Sequence, residues 1–136
     1  MDFDMAKIKA IRYIGISKKT EQEVRKKLYL LKCDENIVDL VIDYLISLGY
    51  VNDNEYVDAY IRQNMRLLTM SIYQIKQKLL QKGIKKYIIE EKLQTLYDCD
   101  YEKKVLERLY NTKFKNLDEI KIKKYLYQKG FTKDEF

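Results

Sequence analysis

Gln74-Ile75-Lys76-Gln77-Lys78-Leu79-Leu80-Gln81-Lys82-Gly83-Ile84 decides the fold, because its pattern occurs twice more in the chain. Before it stands Glu23-Val24-Arg25-Lys26-Lys27-Leu28-Tyr29-Leu30-Leu31-Lys32-Cys33, and after it Lys121-Ile122-Lys123-Lys124-Tyr125-Leu126-Tyr127-Gln128-Lys129-Gly130-Phe131. Val24, Ile75 and Ile122 coincide, as do Leu28, Leu79 and Leu126, then Cys33, Ile84 and Phe131, at offsets of 51 and 47 residues. A period in this range marks an array of helical units, each burying its apolar face partly against its neighbours.

Working outward, each copy is the middle helix of a three-helix unit. In the first unit, residues 6–16 carry Ile8, Ile11 and Ile14 at helical spacing. Thr20-Glu21-Gln22-Glu23 then has the form of a capping box, with the threonine oxygen accepting from the N3 amide, so the middle helix starts near Glu21 and runs to about Lys32. Asp34 is expected to cap a third helix whose apolar stripe is Ile37, Leu40, Val41, Tyr44, Leu45 and Leu48, ending at Gly49.

The second unit opens at Asn52 or Asp53, followed by Tyr56, Val57, Tyr60, Ile61 and Met65 on one helix. Ser71 starts its middle helix, Gly83 stops it, and residues 85–97 supply the third with Ile88, Ile89, Leu93 and Leu96. The last unit has helices over residues 101–113 and 117–129, with a polar break through Asn116. Only residues 131–136 remain for its final helix, about one and a half turns, so that helix is expected to be stunted, unstable or cut off. The expected organisation is therefore all-α, with three tandem units at residues 1–50, 51–98 and 99–136, the last truncated. No proline or glycine linker separates them, so docked neighbours are expected, with Leu48, Tyr50 and Val51 bridging the first two.

Composition agrees. The 136 residues contain no proline and four glycines, too few turn residues for an all-β fold, while 46% hydrophobic and 35% charged residues argue against disorder. Cys33 and Cys99 match no metal or redox spacing and are expected to be reduced, buried thiols. No apolar run approaches the ~18 residues of a membrane span, and residues 1–9 lack a signal peptide's apolar centre, so a cytoplasmic location without membrane association is expected.

Catalysis has little to work with. The chain has no histidine, no G-x-x-x-x-G-K-[ST] phosphate loop, no G-x-S-x-G elbow and no acidic or thiol cluster at ligand spacing. Acidic pairs such as Asp34-Glu35 and Glu90-Glu91 fall near helix starts, where the macrodipole favours negative charge. A non-enzyme without cofactor or metal is the expectation.

The net charge of +6 favours an acidic partner, although the excess of 22 lysines over 5 arginines is also what an A/T-biased genome would produce. Clustering is more informative than the total. Residues 59–89 contain no acid yet hold Arg62, Arg66, Lys76, Lys78, Lys82, Lys85 and Lys86, and residues 120–133 are acid-free with Lys121, Lys123, Lys124, Lys129 and Lys133. Such runs suit a phosphate backbone, whose binding is dominated by counterion release, and equally serve as solvated faces. Tyr60, Tyr73, Tyr87, Tyr125 and Tyr127 interleave these cations; core packing is expected for most, with Tyr73 the best exposed candidate for stacking on an unpaired base.

Three stretches resemble the RecX family of recombinase regulators: Ala10-Ile11-Arg12-Tyr13-Ile14 leading to Lys19-Thr20-Glu21-Gln22-Glu23-Val24; Leu48-Gly49-Tyr50-Val51-Asn52-Asp53-Asn54-Glu55-Tyr56-Val57; and Ile75-x-x-x-Leu79-x-x-Lys82-Gly83-Ile84. The middle one is similar to that family's L-G-Y-[LIV]-[ND]-D-x-x-[FY]-A signature and the last to its I-x-x-x-L-x-x-K-G-[IVF] signature. Val57 departs from a usual alanine, and Asn64 from a common arginine. The resemblance implies an elongated, curved array of three-helix units that lodges, as a monomer, in the groove of a RecA filament on single-stranded DNA, modulating and usually lowering its ATPase and strand exchange. Arg62, Arg66, Lys76, Lys78, Lys82, Lys85, Lys86, Lys121, Lys123 and Lys124 are the expected contact residues. The alternative is a direct, sequence-independent DNA-binding protein, because three-helix units also resemble the core of the helix-turn-helix family.

Overall fold

A computed structural model describes residues 1–133, and the described residues form eight helices and no strand. The first three, α1 (Phe3–Ile16), α2 (Glu21–Leu30) and α3 (Glu35–Ser47), are followed by α4 (Asp53–Leu67), α5 (Ile72–Gln81) and α6 (Lys86–Asp98), then by α7 (Tyr101–Asn111) and α8 (Glu119–Gln128). The expected short helix over residues 131–136 lies in part outside the described residues; Phe131, its first residue, is buried.

Local chemistry fixes the starts of the middle helices. Thr20 Oγ1 accepts from Glu23 N at 3.2 Å while a Glu23 carboxylate oxygen accepts from Thr20 N at 3.0 Å, which completes the capping box ahead of α2. Ser71 and Gln74 repeat it ahead of α5, at 3.1 Å and 2.9 Å. Ahead of α8, Asp118 accepts from Lys121 N at 2.8 Å. Helix α1 starts earlier than its apolar spacing suggested because Asp2 caps it through Met5 N. Asp34 stands at the N-cap position of α3 but its side chain makes no capping hydrogen bond.

The chain divides into two compact units. The first comprises residues 1–56 together with 82–84. Its core is Ala6 and Ala10 from α1, Val24 and Leu28 from α2, and Val38, Val41, Ile42 and Leu45 from α3, closed by Cys33 and Val51. Two expectations are corrected here. Ile8 of α1 is 45% exposed, and Ile11 and Ile14 are only partly buried, because the two alanines, one turn apart, form the face that approaches its neighbours. In α3 the fully buried residues are Val38, Val41, Ile42 and Leu45, a face turned from the expected stripe, so Leu40, at 56% exposed, and Leu48, just past the helix, face outward. Of Leu48, Tyr50 and Val51, expected to bridge the first two repeats, Leu48 and Tyr50 are exposed and Val51 packs into this core.

The second unit comprises residues 57–81 and the described residues from Lys85 onward. Ile75, Leu79, Ile89, Leu93, Leu96, Val105, Leu109 and Leu126 build its core around the buried ring of Tyr101, whose hydroxyl donates to Met70 O at 2.6 Å. Burial pushes the Tyr101 phenol well above its ordinary range, and the neighbouring Glu102 carboxylate adds to the rise. Glu102 is itself 5% exposed, and its two oxygens accept from Ile72 N at 2.8 Å, Thr132 N at 3.0 Å and Thr132 Oγ1 at 2.8 Å. A carboxylate can be buried here because it is this well provided with donors.

The recurring Lys-Gly pair also has a geometric cause. In the first unit the hydroxyl of Thr20 donates to Lys82 O at 2.7 Å, and Gln22 occupies the space a Cβ at Gly83 would need. In the second unit Ser71 donates to Lys129 O at 2.5 Å, and the Tyr73 side chain lies 2.6 to 2.8 Å from where a Cβ at Gly130 would be. Both glycines are left-handed, at φ of 84° and 79°. Thus each needs to be glycine twice over, for its backbone and for the side chain seated on it.

Candidate binding surface

On α4, Arg62 and Arg66 are one turn apart and both exposed. With Ala59 and Met65 they line a shallow, open groove that joins two arginines with apolar surface. Such a groove can take a phosphate or carboxylate in the planar, two-pronged geometry that arginine favours, together with some apolar surface.

The lysines of α5 and α6 are arranged differently. Lys76 and Lys78 are two residues apart, so they leave α5 about 160° apart rather than side by side. Lys76, half-buried, turns toward α6 and meets Glu90 at 3.5 Å, and Lys86 reaches the same carboxylate oxygen at 3.8 Å. Lys82 lies 3.9 Å from Glu23 and 5.8 Å from the centre of the Tyr56 ring, within the first compact unit. Lys85 and Lys86 open α6, which has no acidic residue in its first turn and no side-chain cap, so two cations add to the positive end of the helix dipole.

On α8, Lys121, Lys123 and Lys124 are all exposed, and Lys123 pairs with Glu119 at 3.4 Å. Among the described residues Arg62, Arg66, Lys78, Lys85, Lys121 and Lys124 hold no ion pair, so these six carry the uncompensated charge. The paired four are not silenced either, because exposed ion pairs are worth about 0–1 kcal/mol and exchange readily for another anion.

The tyrosines correct a further expectation. Tyr73, Tyr87 and Tyr127 are all exposed, and only Tyr60 and Tyr125 are partly buried, so core packing does not hold for most of the five. Tyr87 sits directly after Lys85 and Lys86 and is more exposed than Tyr73, which lies against Gly130. Tyr125 is held edge-on to Phe114 at 5.3 Å, with Lys113 Nζ 4.3 Å and Lys129 Nζ 5.7 Å from its ring centre.

Further cations went unremarked in the sequence. In the first unit Lys19 and Lys27 lie 4.8 and 5.5 Å from the centre of the Tyr13 ring, and Lys7 lies over Tyr44 at 4.9 Å and Phe3 at 5.5 Å. The i, i+4 pair Phe3 and Lys7 was the available signal; the other pairings join different segments, beyond the reach of local spacing. Arg25, bonded to Asp39 at 2.7 Å and Glu21 at 3.1 Å, has its pKa raised chiefly by the Asp39 hydrogen bond and serves the fold. Cys33 and Cys99 are free; Cys33 is buried as expected, while Cys99 is only partly so. Among the described residues no group of acids and thiols could hold a metal, and no helix is long and apolar enough to cross a membrane.

Comparison with known proteins gives a consistent picture. The family model described as "RecX, first three-helix domain" matches residues 6–45, and "RecX, second three-helix domain" matches residues 52–93. Among curated relatives, "Regulatory protein RecX" of Streptococcus agalactiae is 41% identical over 122 residues, covering 89% of this chain and 47% of the relative. That of Clostridium beijerinckii is 38% identical over 139 residues, covering 96% and 64%. The chain thus spans between about half and two thirds of these relatives' lengths. Among solved structures, RecX from Lactobacillus salivarius superposes with a TM-score of 0.84 at 29% identity, covering 98% of this chain and 91% of that one. A second crystal structure, of a regulatory protein RecX, shares the fold at a TM-score of 0.85 and 22% identity, with 98% and 70% covered.

Proposed function

The chain belongs to the RecX family, and from that membership we propose that it is a non-catalytic regulator that binds the RecA recombinase filament on single-stranded DNA and lowers its ATPase and strand exchange during recombination and DNA repair. The observation that carries the reading is the match of both three-helix domain models to a chain whose second domain bears the acid-free cationic run at residues 59–89.

The physical mechanism is electrostatic docking. A filament of DNA and protein presents a groove edged by phosphates and acidic side chains, and cations placed along it release counterions. The Arg62–Arg66 groove would supply geometry-specific contacts, and Lys78, Lys85, Lys121 and Lys124 longer-range attraction. This reading places the protein in the cytoplasm, with the recombinase, and asks for no cofactor.

A second reading is direct DNA binding, favoured by the exposed Tyr87 beside Lys85 and Lys86, a ring and two cations that suit an unpaired base and its phosphate. Affinity separates the two. We expect labelled protein to bind preformed filaments at concentrations that leave bare single-stranded DNA of the same length almost free, and to keep that preference as salt is raised. Equal affinity for filament and bare DNA would transfer the assignment to the second reading.

A further inference from the structure

We propose that the groove lined by Ala59, Arg62, Met65 and Arg66 on α4 receives an acidic amphipathic helix of a partner protein, its carboxylates on the two guanidinium groups and an aliphatic side chain against Ala59 and Met65. The proposal rests on the filament-binding reading and deepens it. At this groove the partner offers protein carboxylates rather than the phosphates of DNA.

Charge gives the first argument. Arg62 and Arg66 stand four residues apart, so their side chains leave the same face of α4, about 5–6 Å from one another at Cβ. Like charges at that spacing repel and destabilise the helix, and an anion set between them removes the cost. The acid placed to do so is Asp58, one turn before Arg62, but Lys92 of α6 holds its carboxylate at 3.1 and 3.2 Å. Residues 59–89 supply no other acid. Among the described residues neither arginine has an ion-pair partner, and the two planar cations face solvent together.

The apolar part of the groove selects among anions. Met65 is 38% exposed and, with Ala59, gives an aliphatic lining without a ring. Single-stranded nucleic acid brings bases that gain most by stacking on aromatic side chains, and none lines this groove. Its volume of about 480 Å³ also exceeds what one phosphate group fills and lies within the roughly 300–1,000 Å³ typical of binding pockets. A flexible, polarisable thioether adapts to aliphatic side chains of varied shape, and methionine and arginine are both enriched at protein interfaces.

Together these features specify the occupant. A helix with carboxylates at i and i+4 repeats the spacing of the two arginines, so each acid can meet one guanidinium in the planar, two-pronged geometry. A leucine at i+3 lies on that same face and reaches the aliphatic lining as the carboxylates seat. Helix α4 carries its own groups in this order, Met65 three residues after Arg62 and one before Arg66, so the two faces match in spacing. An amphipathic helix laid in a groove takes affinity from the apolar anchor and specificity from the flanking charges.

Backbone amide NMR of the whole chain, titrated separately with two probes, tests this. One probe is a short helix locked by a lactam bridge, with glutamates at i and i+4 and leucine at i+3, and the other is oligothymidylate. The helix should shift the amides of residues 59–66 in a saturable way, and the oligonucleotide should leave them in place. Glutamine in place of both glutamates should abolish the shifts. Arg62→Lys keeps the charge but loses the planar fork, and Met65→Ser loses the apolar contact, so each should weaken peptide binding by about tenfold or more. Both positions are exposed, and circular dichroism should show unchanged helicity. No shifts from the helix, shifts from oligothymidylate as large as those from the helix, or peptide binding that ignores both substitutions would overturn the proposal, even where the protein still lowers ATP hydrolysis by preformed filaments. Failure of the filament reading looks different, because the peptide would bind at this groove while filament hydrolysis ignored the protein.

Discussion

Gly83 shows how a single residue can answer to two constraints. Its backbone is left-handed and Gln22 fills the volume where a side chain would begin. Gly83→Ala should therefore destabilise the protein by about 1–3 kcal/mol in urea titration, a strained backbone and a displaced neighbour acting together. Adding Gln22→Ala should restore part of that loss, and full additivity of the two changes would contradict the contact. Tyr101 gives a prediction in pH. Its phenol has a pKa raised by burial in the folded protein, so the unfolded chain gives up this proton first. The stability it contributes is complete below the ordinary tyrosine range near 10 and is lost progressively as pH climbs beyond it. The slope of stability against pH above about 10 should be steeper in the native sequence than in Tyr101→Phe. Identical slopes would contradict the assignment.

At the scale of elements, the middle helices depend on capping residues that serve both their own helix and a carbonyl distant in sequence. Thr20→Ala removes a cap and the bond to Lys82 O together, and about 1–3 kcal/mol should be lost, more than the ~1 kcal/mol of an ordinary N-cap. Ser71→Ala should behave alike through Lys129 O. A loss no larger than a cap alone would show that the distant bond contributes nothing. These caps, and the glycines that stop the helices, were legible because they act locally. The buried faces of α1 and α3 were less so. Both helices are apolar over a broad arc, and which part of the arc is buried depends on neighbours distant in sequence; Ala6 and Ala10, not Ile8, make the fully buried face of α1.

The candidate surface was legible to a similar extent. Every cation proposed from the acid-free runs lies at least partly exposed, but helical spacing alone sends Lys76 and Lys78 in different directions, and Glu90, one residue past the first run, takes up both Lys76 and Lys86. The unpaired set is the sharper instrument. Changing Arg62, Arg66, Lys78 and Lys85 to glutamate should abolish filament binding and leave far-ultraviolet circular dichroism unchanged. Binding that survives all four changes would remove this surface from the account.

For the molecule as a whole, the repeat period did most to reveal the architecture, because the same apolar positions of the middle helix recur with a side-chain cap before them and a left-handed turn after them. It could not reveal the partner. The partner proposed above is read from membership of a family of regulators, joined to the cationic surface. The most direct test is a titration of this protein into preformed RecA filaments on single-stranded DNA while ATP hydrolysis is followed. The hydrolysis rate should fall in a saturable way as protein is added, and the four-glutamate variant should leave it unchanged. A rate indifferent to the native protein, at concentrations where the protein is folded and in excess of the recombinase, would contradict the regulator reading.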